Sequence, residues 1–236
     1  MAVFVISDLH LSFGTDKPMD VFGARWQNFE EKLKENWLKK IAPNDTVILP
    51  GDFSWGMTLA EAKPDFDFLE ALPGQKILMK GNHEYYWNTL TKLTEFCDEQ
   101  GYKTIRFLHN NAFEAEDFLI AGSRGWLCEA SMKEADRKIL DREVGRFAAS
   151  VAAAEKLRKG EDDTREILVF SHYPLSSLSC RHPALDLLKK AGVRRVFYGH
   201  LHMVSPANLP PAEEDGVTFS LVSADYLDFD PIKIEK

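Results

Sequence analysis

Short uninterrupted apolar runs punctuate the chain: VFVI at 3–6, TVIL at 46–49, KILM at 76–79, ILVF at 167–170 and VRRVFY at 193–198. Runs of this length, rich in branched and aromatic residues, predict strands covered on both faces. Between them the spacing of apolar positions changes to three and four. Trp26, Phe29, Leu33, Trp37 and Ile41 recur at helical spacing, and Leu90, Leu93 and Phe96 do the same ahead of Gly101. Strand and helix alternate, which predicts a layered α/β domain.

Two stretches break the series. NAFEAEDFLIAG, 111–122, sets short runs on either side of Glu116-Asp117 and predicts a hairpin, while VTFSLVSADYLDFDPIKI, 217–234, predicts two or more late strands. A purely parallel sheet has no place for these, so a mixed sheet or two packed sheets is expected. Ser131 and Glu134 form a capping-box pair that opens a helical pattern through Ile139, Leu140, Val144, Phe147 and Val151 to about Lys159. The stretch reads as one long helix, or two, packed on the sheet with a solvated charged face, and its length leaves a lid as the alternative. Residues 160–164 and the Pro-rich, acidic segment 205–216 read as loops.

Composition narrows the function classes. At 236 residues with 44% hydrophobic and 28% charged positions, the chain reads as a single globular domain, 1–236. A formal net charge of -8 argues against a protein that grips duplex nucleic acid through many phosphates, but not against one acting on a small phosphorylated substrate. Cys97, Cys128 and Cys180 are scattered and odd in number, so neither a disulfide framework nor a thiolate zinc site is expected. The N-terminus MAVFVISDLHL reads as a first strand and no run reaches membrane-span length, so the expected location is cytoplasmic, with no membrane partner.

The chemistry lies where the strands end. Asp8 and His10 follow the first run, Gly51-Asp52 the second, Gly81-Asn82-His83-Glu84 the third, His172 the fourth, and His200 and His202 the fifth; five of the seven histidines are there. In layered α/β folds the ends of neighbouring strands converge on one crevice. A lone histidine at a strand end is usually a hydrogen-bonded structural residue. This many imidazoles and carboxylates at one edge would each need a partner or carry a desolvation penalty of roughly 1–3 kcal/mol. A divalent metal satisfies them together, and imidazole plus carboxylate without thiolate selects Mn, Fe, Zn or Co over Ca or Mg. Seven ligands are too many for one ion. Two ions about 3.5–4 Å apart, bridged by one carboxylate, use them economically and suit in-line displacement at phosphorus.

In this order the blocks DLH, GD, GNHE, SHYP and GHLH resemble the calcineurin-like metallophosphoesterases, and the resemblance spans residues 8 to 202. It implies an α/β fold of two packed mixed sheets flanked by helices, a four-layer sandwich. It further implies that Asp8, His10 and His202 hold one divalent ion, that Asn82, His172 and His200 hold a second, and that Asp52 bridges them. A metal-bound hydroxide would attack a phosphomonoester or phosphodiester in line, with His83 as general acid to the leaving group. Glu84 would orient His83 or serve as a neighbouring carboxylate. The chain departs from the pattern in one place: many members continue the Gly-Asp block to a further Asp, where this chain has Trp55.

Arg124, in GSRGW, is a candidate to clamp a substrate phosphate. Trp55, Tyr85, Tyr86, Trp87 and Trp126 read as core, His109 and His182 as surface or loop residues, and Cys180 as a bystander thiol. The competing reading is a catalytically inert metal-binding scaffold on the same fold. A third, a structural single-zinc protein, would leave buried polar groups without partners.

Overall fold

Each apolar run becomes a strand whose two faces are buried against different partners. The computed structural model describes residues 1–177 and 179–236. Along the first half run β1 (Val3–Val5), α1 (Phe29–Lys40), β2 (Thr46–Leu49), α2 (Leu59–Ala71), β3 (Gln75–Leu78), α3 (Leu90–Gln100) and β4 (Ile105–Phe107). Then follow β5 (Phe113–Ala115), β6 (Phe118–Ser123), α4 (Glu134–Lys156), β7 (Glu166–Ser171), α5 (Ala184–Lys190), β8 (Arg195–Tyr198), β9 (Glu213–Glu214), β10 (Val217–Leu221) and β11 (Ile232–Ile234).

The strands form two mixed sheets, one ordered β11-β1-β2-β3-β4 and the other β5-β6-β7-β8-β10-β9. In both, the inner strands pair parallel and the antiparallel pairs, β11 with β1, β5 with β6 and β9 with β10, lie at edges. The sheets pack face to face and helices cover their outer faces, giving the expected four layers. The pleat sorts the side chains: Val3 and Val5 enter the layer between the sheets, with Ile48, Ile77, Ile120, Leu168 and Phe170, while Phe4 and Ile6 join the helix-covered side. There Leu33 and Trp37 of α1, Phe66 of α2 and Leu93 of α3 close the first core, and Phe147 and Val151 of α4 with Leu185 and Leu188 of α5 close the second. Among the described residues no helix is long and apolar enough to cross a membrane.

The predicted strands, hairpin and long helix are present. Three details differ from expectation. The helix α2, with Pro64 inside it, is not among the helices expected from the sequence. It survives because Thr58 accepts from the Glu61 N–H at 3.2 Å, and because Pro64 lies near the start, where it removes a single backbone bond. The capping box does not form: α4 starts at Glu134 with Lys133 at the N-cap and no side-chain cap bond. The segment before it is held elsewhere, with Trp126 packed on Tyr173 and Cys128 joined to Cys180 in a disulfide. That pairing corrects the reading of Cys180 as a bystander thiol and the expectation that the scattered cysteines form no disulfide.

His182, expected at the surface or in a loop, lies in the loop before α5 but is 1% exposed. Its Nε2–H donates to the Trp126 carbonyl at 3.2 Å and its Nδ1 accepts from the Ala184 N–H at 3.1 Å, an arrangement that only the neutral ring allows. Burial pushes the imidazole down to about 4, outweighing the Trp126 bond. A folded-state value below the unfolded one means that the stability is present above about pH 6.5 and is lost as pH falls through 4. Chemical denaturation across that window is expected to show wild type losing about 3 kcal/mol more than His182→Gln. Parallel losses would mean that His182 is not the group titrating.

Candidate metal centre

The parallel strands deliver their carboxyl ends to one edge, and the candidate ligands sit in the loops just beyond. The two sheets are stitched there: Ser7 N–H donates to Val222 O at 2.8 Å and Ala224 N–H to Ser7 O at 2.8 Å. The loops turn back sharply, with Asp8 (φ 58), His10 (φ 47), Asp52 (φ 52) and His200 (φ 72) all in the left-handed region. Such strain in non-glycine residues gathers at functional sites when the surroundings enforce it. Glycine is required alongside. A Cβ on Gly51 (φ 101) would lie 2.8 Å from His172 Nδ1, and one on Gly81 would overlap the Asp52 carboxylate.

Ligand atoms of Asp8, His10 and His202 lie within 4.8 Å of one another, and those of Asp8, Asp52 and His172 form a second such group. His202 Nε2 is 3.1 Å from His10 Nε2 and 3.4 Å from Asp8 Oδ1. Asp52 Oδ2 lies between the groups, 3.8 Å from His10 Nε2 and 3.4 Å from His172 Nε2. Asn82 Oδ1 stands 2.7 Å from His172 Nε2 and 2.9 Å from His200 Nδ1, which places those three side chains together on the far side. All seven candidate ligands of the sequence therefore meet in one cluster.

Several neighbours set the direction of the lone pairs. His172 Nδ1–H donates to the Pro50 carbonyl at 3.1 Å, and His202 Nδ1–H to Asp225 Oδ1 at 2.9 Å, so both rings turn Nε2 inward. Asp8 accepts from the His200 N–H at 3.0 Å and the Ser223 hydroxyl at 3.1 Å.

The charge balance tests whether metal fits. Burial pushes Asp52 up to about 7, helped by the Asp8 charge. Burial alone would lower His202, yet its bonds to Asp225 and Asp8 push it up to about 10. Burial also opposes ionisation of Asp8, but the His202 bond and the surrounding imidazoles hold it well below the usual carboxylate range. His10, His172 and His200 are lowered, mainly by desolvation, the latter two to about 4, so they present lone pairs. The metal-free cluster thus places protons where two buried carboxylates demand positive charge, and a divalent cation meets that demand with donors already aimed at it.

Around the ligands, the structure sorts the other candidates. His83 is at the rim, its N–H held by Asp52 Oδ1 at 2.8 Å, its Nε2 3.9 Å from Asp52 Oδ2 and its Nδ1 3.4 Å from the Tyr85 hydroxyl. Glu84 does not orient it: that carboxylate is buried and accepts from the Phe53 N–H at 2.6 Å and the Gly81 N–H at 2.5 Å, clamping the loops after β2 and β3 together. Arg124 accepts through its carbonyl from the His172 and Tyr173 N–H groups at 3.0 and 2.9 Å. Its guanidinium reaches Glu143 at 3.5 Å and leaves Nε buried without a partner. Trp55, read as core, instead stacks on His10 at 4.9 Å and meets His83 at 4.3 Å. His109 lies outside the cluster, beside Trp87 at 6.0 Å.

Asp225 belongs to none of the sequence blocks. It ends the apolar run 217–222 in the same way that the other acidic and imidazole residues end theirs, and extending that rule to the sixth run finds it. Besides His202 it accepts from the Met203 N–H at 2.8 Å. Asp225→Asn is expected to weaken metal binding by about tenfold or more, read by competition with a chromophoric chelator. An unchanged affinity would separate Asp225 from the ligand set.

A family model for calcineurin-like phosphoesterases matches residues 1–204. No curated protein matches the chain. Among solved structures, a protein of unknown function from Aquifex aeolicus, AQ665, is similar at 17% identity and a TM-score of 0.54, covering 98% of this chain and 95% of its own. The phosphopantetheinyl hydrolase of Mycobacterium tuberculosis aligns at 16% identity and 0.55, covering 99% and 95%. TT1561 of Thermus thermophilus aligns at 14% and 0.56, covering 99% and 97%. At these identities the likeness is one of fold.

Proposed function

The chain belongs to the calcineurin-like phosphoesterase family, and from that premise we propose that it is a dinuclear metal-dependent hydrolase of a small phosphomonoester or phosphodiester. One observation carries the reading: two buried carboxylates, Asp8 and Asp52, stand among imidazoles whose lone pairs point inward. Asp8, His10 and His202 would hold one ion and Asn82, His172 and His200 the other, with Asp52 between them. Donors of this kind suit Mn, Fe, Zn or Co. Bound there, two dications would neutralise charge on the phosphoryl oxygens and acidify a water.

The remaining work falls to the chain. His83, at the rim, supplies a proton to the leaving oxygen. Burial lowers its imidazole and the Asp52 charge opposes that; an entering phosphate adds further negative charge and raises it toward the protonated form. Arg124, whose carbonyl accepts from the His172 N–H at 3.0 Å, is the candidate to clamp a substrate phosphate. We take residues 1–236 as one catalytic domain, since β11 returns to pair with β1 and completes the sheet that carries Asp8.

The test is hydrolysis of paired phosphomonoester and phosphodiester substrates by metal-stripped protein, with each metal restored separately and Asp52→Asn as control. Restored turnover is expected with at least one transition metal. Two bound ions and no turnover of either ester would favour the inert scaffold.

A further inference from the structure

Beside the three histidines His10, His83 and His202 opens a cavity of about 240 Å³ whose remaining wall is carbon and thioether, from Met19, Phe22, Trp26, Trp55 and Met203. Two of these stand at its mouth in solvent, Phe22 at 50% and Met203 at 61% exposure. Met203 is not there by slack: its backbone takes φ 52 and its N–H is held by Asp225. Apolar side chains fixed in water at the entrance to a catalytic crevice mark a surface that a ligand covers.

The wall also says what kind of ligand. A flat base or sugar ring needs an open aromatic face or polar partners for its edges. Trp55 already has the His10 imidazole stacked on it at 4.9 Å and the Lys17 ammonium 4.5 Å from its centroid. Trp26 is buried, edge-on to Phe29 at 5.2 Å and Phe229 at 5.1 Å. The Trp55 Nε1–H is spent on Met19 Sδ at 3.1 Å. What remains is ring edges, the Phe22 ring at the exposed rim and the flexible Met203 thioether, a wall without further polar partners that moulds around an aliphatic chain.

Resting on the phosphoesterase reading, we propose that this cavity is the leaving-group subsite and that the substrate is a phosphoester of an aliphatic, apolar alcohol. His83 joins the two ideas, because the residue that protonates the leaving oxygen forms part of the cavity wall. In the step, a water oxygen bonds to phosphorus and the bond from phosphorus to the alcohol oxygen breaks. The proton from His83 ends on that oxygen, and the proton released by water restores it.

The experiment compares methyl, butyl and octyl phosphate, below micelle-forming concentrations, with adenosine 5′-phosphate as the ring-bearing alternative. The expected result is kcat/KM rising about two- to fourfold per methylene until the cavity is full. Phe22→Asp, at the exposed rim, should cut the octyl-to-methyl ratio by about tenfold or more, while Leu38→Asp, equally exposed on α1, keeps it. Equal turnover of methyl and octyl phosphate, a ratio untouched by Phe22→Asp, or preference for the nucleotide would overturn the inference and leave the phosphoesterase reading standing. A separate readout needs no turnover: octylphosphonate, and not methylphosphonate, should change the fluorescence of Trp26 and Trp55. If no ester is hydrolysed with any metal but that response appears, the apolar subsite stands and the phosphoesterase reading falls. If the response is absent, the subsite falls.

Discussion

Asp52→Asn is expected to lower kcat/KM by about three orders of magnitude with restored metal, equivalent to some 4 kcal/mol of lost transition-state stabilisation. Asp52 is 1% exposed and stands between His10 and His172, so in the proposed dinuclear centre its charge would offset both ions at once. An amide of the same shape keeps the fold but removes that charge. Metal content should fall with activity. The same substitution should stabilise the metal-free protein: burial and the neighbouring Asp8 charge push the Asp52 carboxyl up to about 7, so at pH 8 its ionised form opposes folding. The sign follows from linkage, since a folded-state carboxyl that binds its proton more tightly than the unfolded one loses stability as pH rises through the gap. Opposite shifts, less activity with metal and a higher melting temperature without it, are a signature that a merely structural aspartate does not produce. Full activity in Asp52→Asn would end the dinuclear assignment.

His83→Ala should separate chemistry from metal binding. The ring lies 3.9 Å from Asp52 at the rim and its side chain is 29% exposed, so its removal leaves the ligand cluster intact. Both ions should remain, with kcat falling about 10²- to 10⁴-fold on an alkyl phosphate, whose leaving oxygen needs a proton. On a nitrophenyl ester, whose phenolate leaves unaided, the loss should be small. The contrast between the two esters is the measurement. Equal losses on both would assign His83 to positioning, and no loss on the alkyl ester would remove it from the mechanism.

Much of the site is legible because the chemistry lies beside the strand ends in the sequence itself. Asp8, His10, Asp52, Asn82, His83, His172, His200 and His202 each follow an apolar run directly, so finding the runs finds them. Asp225 obeys the same rule, but the late strands around it carry no histidine to draw the eye. Glu84 is visible in the sequence and its role is not. Its two acceptor bonds join loops 31 residues apart, and nothing in GNHE says which backbone groups will be near. Trp55 could not be separated from core aromatics, because indole packs equally well against leucine or against an imidazole beside a metal. The disulfide is hidden for a related reason: Cys128 and Cys180 lie 52 residues apart and meet only because the segments after β6 and β7 run side by side.

The sequence by itself determined the kinds of element, their alternation, the ligand types and hence the class of chemistry, since hydrophobic period and side-chain functional groups are local properties read one residue at a time. Tertiary structure alone decided which atoms face which. Register between parallel strands, the left-handed turns at Asp8, His10, Asp52 and His200, and the packing of one sheet on the other set distances of a few ångströms between residues far apart in the chain, as from Asp8 to Ser223, 215 positions away. Those distances fix the tautomers, the burial of the carboxylates and the shape of the apolar cavity. They arise from the cooperative packing of the whole chain, which no short stretch of it contains.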